Sequence, residues 1–154
     1  MSKYKPYIIS FAITFATALL GGIVTYLGMD SFEKVVQPPL APPSFLFPIV
    51  WTILYSLMAF GAARIYIKSG SQLSGALLLY VVQLFFNFWW SVIFFGFDAY
   101  LTAFIWLVIL WILVLAMIIA FYKIDKLSAL IQIPYLLWLT FAAYLNLGIY
   151  LLNK

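Results

Sequence analysis

The chain has 154 residues, of which eight are Lys or Arg and four are Asp or Glu; 68% are hydrophobic, and there is no His and no Cys. Ordinary soluble domains are about half apolar, so the composition excludes that class, and a chain this short makes one domain, residues 1–154. Without His or Cys, the usual zinc sites, a Ser-His-Asp triad, a thiol nucleophile, disulfides and His- or Cys-ligated haem iron are also excluded, and no metal site is expected.

The charged residues cut the chain into five uncharged stretches, 6–29, 35–63, 69–97, 99–122 and 127–153. A helix rises about 1.5 Å per residue, so roughly 20 apolar residues cross the hydrocarbon core. Barrel strands need alternating polarity, whereas runs such as LLLYVVQLFFNFWW are continuous. The expected fold is an all-α integral membrane protein, a bundle of five transmembrane helices at about 6–28, 44–68, 73–96, 99–122 and 128–152, with the lipid bilayer as its surroundings.

The first span follows Lys3 and Lys5 and contains Ala16-Thr17-Ala18, which resembles a signal-peptidase site. Its apolar run continues to Leu27, longer than a signal core, so a retained span is expected. Ser10, Thr14, Ala18 and Gly22 recur at four-residue spacing, a face suited to close helix packing within the chain or in a dimer. The connection to the second span, roughly 28–44, contains Pro38, Pro39, Leu40, Pro42 and Pro43. Paired prolines stop a helix and favour a stiff extended path. An ordered lid over the outer end of the bundle and a plain tether both fit this length.

The second span carries Trp51 and Tyr55 one turn apart, just after Pro48. In the third, Gln83, Asn87 and Ser91 fall on one helical stripe, flanked by Phe86, Trp90 and Phe94. Amides facing lipid are costly, so this stripe should face protein or a cavity. Trp106 and Trp111 in the fourth span suit packing or the lipid interface. The fifth aligns Trp138, Ala142, Asn146, Ile149 and Asn153. Counting about 1.5 Å per residue, Trp90 and Trp51 lie roughly 9–10 Å below the outer end, Asn87 and Ala142 roughly 14–15 Å, and Trp138 roughly 20 Å. An aromatic box with a few amides at this level suits a flat, largely apolar ligand; aromatics are 21% of the chain, so helix packing alone is the competing reading.

Lys3, Lys5, Arg64, Lys68, Lys123 and Lys126 fall on the side of the amino terminus, and Lys34 and Lys154 on the other. In a bacterial inner membrane, this puts the amino terminus in the cytoplasm and the carboxyl terminus outside. The positive charge thus serves orientation, and no nucleic-acid partner is expected. No internal repeat of the transporter kind is found.

The blocks PPLAPPSFLFPIVWTILY at 38–55, QLFFNFWWSVIFFG at 83–96 and PYLLWLTFAAYLNLGIYLLN at 134–153 resemble the translocator protein family. Its bacterial members are called tryptophan-rich sensory protein, and its animal members the peripheral-type benzodiazepine receptor. The resemblance implies a five-helix bundle, commonly a homodimer, that binds porphyrins and, in animals, cholesterol and synthetic ligands. By motif it carries pocket roles onto Trp51, Asn87, Trp90, Trp138, Phe141 and Ala142. Where the family usually has a loop tryptophan, this chain has Leu40. The terminal Leu147, Tyr150 and Lys154 match a weak cholesterol-recognition pattern.

Three functions follow as expectations. The first is binding of a porphyrin (protoporphyrin IX or haem) or a similar hydrophobic small molecule, with a sensory, regulatory or protective role and no required cofactor. Its faces stack on Trp51 and Trp138, while Asn87 and Asn146 offer donors and Lys34 is the one loop cation near its propionates. The second is light-dependent degradation of that porphyrin, with Trp51 and Trp138 as electron donors. The third is transport of a hydrophobic molecule.

Overall fold

The computed structural model describes residues 3–154. Its helices are α1 (Lys5–Glu33), α2 (Leu46–Lys68), α3 (Gly75–Ser91) with a π-helical continuation over Val92–Gly96, α4 (Tyr100–Tyr122), a short α5 (Lys126–Leu130) and α6 (Ile133–Asn153). Five spans, α5 and α6 together forming the last, are long and apolar enough to cross a membrane. The chain is an all-α, multi-pass integral membrane protein.

Two boundaries differ from those expected. The first helix runs to Glu33 rather than ending near 28, because no proline intervenes before the segment that leaves the helix at Val36. The last span is broken at Ile131–Gln132. Pro134 has no amide hydrogen for the carbonyl of Leu130, and its ring crowds that carbonyl. A new helix therefore starts at Ile133 with Pro134 in its first turn, where proline is tolerated.

The close-packed pairs are α1–α2, α1–α3, α3–α4 and α4–α6, with α5 packed on α2 and α4. The backbones of α2 and α6 are not among these pairs, so side chains must span the gap between them. In lipid, helices associate through close packing and interhelical hydrogen bonds rather than hydrophobic burial. Ser10 Oγ donates to the Ala59 carbonyl at 2.7 Å, and the Thr14 and Tyr80 hydroxyls are hydrogen-bonded. Trp106 Nε1 donates to the Phe86 carbonyl and Trp111 Nε1 to Thr140 Oγ1, so both indoles tie α4 to a neighbour.

The small-residue face of α1 is real but does not include Gly22, which is exposed with open space beside it. Four residues turn a helix by about 400°, so a four-residue stripe drifts about 40° per step. The packed face instead continues through Gly21, against Ser91, and Gly28, pressed on the Phe95 carbonyl. At the end of the bundle nearest the amino terminus, Arg64 Nε and Nη2 bind the Asp125 carboxylate at 2.7 and 3.2 Å. The same carboxylate caps α5 through the amide and hydroxyl of Ser128.

Candidate ligand site

Trp51 and Trp138 face each other across the gap between α2 and α6, ring centroids 6.4 Å apart and planes at 90°. Trp51 also packs on Tyr55 at 5.4 Å and meets the edge of Tyr135 at 6.1 Å. The row continues along α6 from Trp138 to Phe141 at 5.6 Å and Tyr144 at 6.2 Å, while Phe47 covers Trp138 from α2 at 5.9 Å. Trp51, Trp138, Phe141 and Ala142 are all half-buried. The gap is thus an aromatic wedge, closed inwards by Tyr55 and Tyr135. Trp51 follows Pro48 in the first turns of α2, and Tyr135, Trp138, Ala142 and Asn146 share one face of α6.

Beneath the wedge lies a buried polar chain. Tyr55 Oη donates to Asn87 Oδ1 at 2.6 Å, Asn87 Nδ2 donates to Tyr135 Oη at 2.8 Å, and Tyr135 Oη donates to Gln83 Oε1 at 2.7 Å. Asn87 is 3% exposed and Gln83 fully buried, so the polar stripe of α3 faces protein. Tyr135 was not foreseen, although it sits one turn before Trp138 on the same face and was findable from that spacing.

The remaining candidates form a second group. Trp90 Nε1 donates to Asn146 Oδ1 at 3.1 Å, and Asn146 Nδ2 donates to the Tyr100 carbonyl at 2.8 Å. Trp90 stacks on Phe94 at 5.0 Å, and Phe94 meets Phe32, Phe95 and Tyr100. Ser91 is buried against Gly21 of α1. Trp90 packs against the cluster containing Tyr55 as well as that containing Phe94, and so joins the two groups. The amide hydrogens of Asn87 and Asn146 that form these bonds are committed within the protein, so a ligand meets chiefly ring faces.

The proline segment is strapped to α6. Tyr144 Oη donates to the Pro39 carbonyl at 2.6 Å, and Asn153 accepts from the Val36 amide at 2.8 Å and donates to its carbonyl at 2.9 Å. Pro38 is buried against Gly148, where an added Cβ would lie 2.7 Å from the proline ring. Pro38 to Ala41 form a turn closed by a 3.3 Å bond, with Leu40 at φ 71°. That conformation favours glycine, and the Leu40 side chain is 82% exposed. Pro38, rather than Leu40, is the loop side chain packed on the bundle.

A sequence model of the TspO/MBR family matches residues 10–152. The chain belongs to the TspO/MBR family. Among its relatives, the tryptophan-rich protein TspO of Chlorobaculum tepidum is 36% identical over 125 residues, 79% of this chain and 78% of that protein. The translocator protein of Sus scrofa is 33% identical over 122 residues, 77% and 72% of the two chains. Another TspO, from Bacillus cereus, is 27% identical over 153 residues and covers 99% of this chain and all of its own length.

Proposed function

We propose that this TspO/MBR family protein binds a porphyrin, or another flat hydrophobic molecule, in the wedge between α2 and α6, in a sensory, regulatory or protective role. The supporting observation is the Trp51–Trp138 pair, spanning two helices whose backbones do not close on each other. Perpendicular rings in contact leave no slot for a third, so a macrocycle enters by rotating at least one indole until it stacks on the ligand face. Tyr55 and Tyr135 form the floor, and the segment strapped to Tyr144, Gly148 and Asn153 closes the end of the wedge. The polar edges of the macrocycle point to the membrane surface, where Lys34 supplies a cation. Nothing in this binding requires a metal ligand from the protein.

Titration with protoporphyrin IX, read by tryptophan emission, tests the reading. Saturable quenching is expected, with the affinity lowered at least about tenfold in the Trp51→Ala/Trp138→Ala double variant, the scale of losing two aromatic contacts of about 1 kcal/mol each. Linear quenching, or equal affinity in the double variant, would count against the site.

The contiguous oxidisable rings Trp51, Tyr55, Tyr135 and Trp138 favour a second reading. Illuminated porphyrin, with dioxygen as oxidant, would be degraded faster in the wedge than in detergent. Equal decay of free and bound porphyrin under light removes it.

A further inference from the structure

At the amino-terminal end of the bundle, away from the wedge, the start of α3 and the end of α4 line an open groove of about 510 Å³. Its inner wall on α4 is apolar: Ala116, Ile119 and Ala120. Its mouth mixes apolar and polar groups: Ser74, Gly75 and Ala76 where α3 begins, and Lys123 and Ile124 just past the end of α4, with Lys123 as its one charge. Ala116 and Lys123 are seven residues apart, roughly 10 Å along the axis. The wall on α4 is thus apolar in its depth and carries a cation at its end nearest the membrane surface. That is the order in which a phospholipid presents its chains and its headgroup.

Lys123 is exposed and takes part in no ion pair among the described residues. The nearest acid in sequence, Asp125, is engaged by Arg64 and Ser128. Lys68 and Lys126 lie at the same end, so the mouth sits in a positive field. Cationic pockets between spans on such a face select acidic headgroups. An apolar helix from a second copy would fill the wall but bring no anion to Lys123.

We propose that this groove holds one anionic glycerophospholipid, its phosphate at Lys123 and the upper part of its chains along Ala116, Ile119 and Ala120. The site is independent of the wedge, which lies between α2 and α6.

The test uses the full chain in detergent, stripped of lipid and then mixed with phosphatidylglycerol or phosphatidylcholine, with bound lipid counted by native mass spectrometry. One phosphatidylglycerol per chain is expected, and markedly less phosphatidylcholine. Lys123→Gln should weaken the acidic lipid about fivefold, the usual contribution of one cation near an anionic lipid surface. Gly75→Phe should abolish the adduct with the helical signal and melting midpoint unchanged, since a Cβ added at Gly75 meets no heavy atom within 4 Å. The proposal is overturned if both lipids bind equally or the adduct survives both substitutions. It is equally overturned if inorganic phosphate displaces the lipid at matching concentration, or if a Gly75→Cys variant cross-links to a second copy with no lipid bound.

Discussion

Asn87 holds two tyrosines from two other helices through one amide, accepting from Tyr55 and donating to Tyr135. Both phenols also touch Trp51, so Asn87 positions the wedge through them. Replacing it with leucine leaves Tyr55 Oη without its acceptor and Tyr135 Oη without its donor in a region that water does not reach. The expected cost is about 1–2 kcal/mol, seen as a lower melting midpoint in detergent together with a shift in tryptophan emission. An unchanged spectrum would mean that Trp51 is held by other contacts. The inward stripe of Gln83, Asn87 and Ser91 was legible in the sequence, because amides at helical spacing inside an apolar span have few tolerable directions. Their partners were not legible: nothing local to Asn87 says that its hydrogen bonds end on Tyr55, 32 residues earlier, and Tyr135, 48 residues later.

Among the elements, the segment between α1 and α2 is the one whose role the sequence left open. Prolines forbid helix there, but a tether and a strap have the same composition. The strap is decided by α6, where Tyr144, Gly148 and Asn153 present a hydroxyl, a bare backbone and an amide to Pro39, Pro38 and Val36. In Gly148→Ala the new methyl meets Pro38, and the segment should lift. The measurement is hydrogen exchange, with the Val36 amide expected to exchange at least about tenfold faster while the helices keep their protection. At the other end, the Arg64 guanidinium, followed by Ser128, holds the Asp125 carboxyl down at about 2. A carboxyl depressed on folding stabilises the protein above its ordinary value of about 3.9, and that contribution fades as pH falls towards 2. Wild type should therefore melt above Asp125→Asn by a constant margin from pH 8 to about pH 5, and the margin should shrink below about pH 4. A margin that persists at pH 2 would show that the charge is not what binds α2 to α5.

For the molecule as a whole, charge is divided between two ends. Six of the eight cations lie where α1 begins, and three of the four acids, Asp30, Glu33 and Asp98, lie at the other end. We propose from this partition that, in a bacterial inner membrane, the amino terminus is cytoplasmic. The chain lacks cysteine, so single substitutions report cleanly. Lys34→Cys should react with an impermeant maleimide added to intact cells, and Lys68→Cys only after lysis; the reverse pattern would invert the topology. The sequence by itself determined the five spans, the inward stripe on α3 and the likeness to a family, because lipid leaves a long apolar run one way to satisfy its backbone. Only the tertiary structure decided that α2 and α6 stay apart with Trp51 against Trp138 between them, that the amides are spent on tyrosines, and that the proline segment is bound to α6. Those outcomes depend on which helix faces meet, and such meetings join residues tens of positions apart that no local pattern connects.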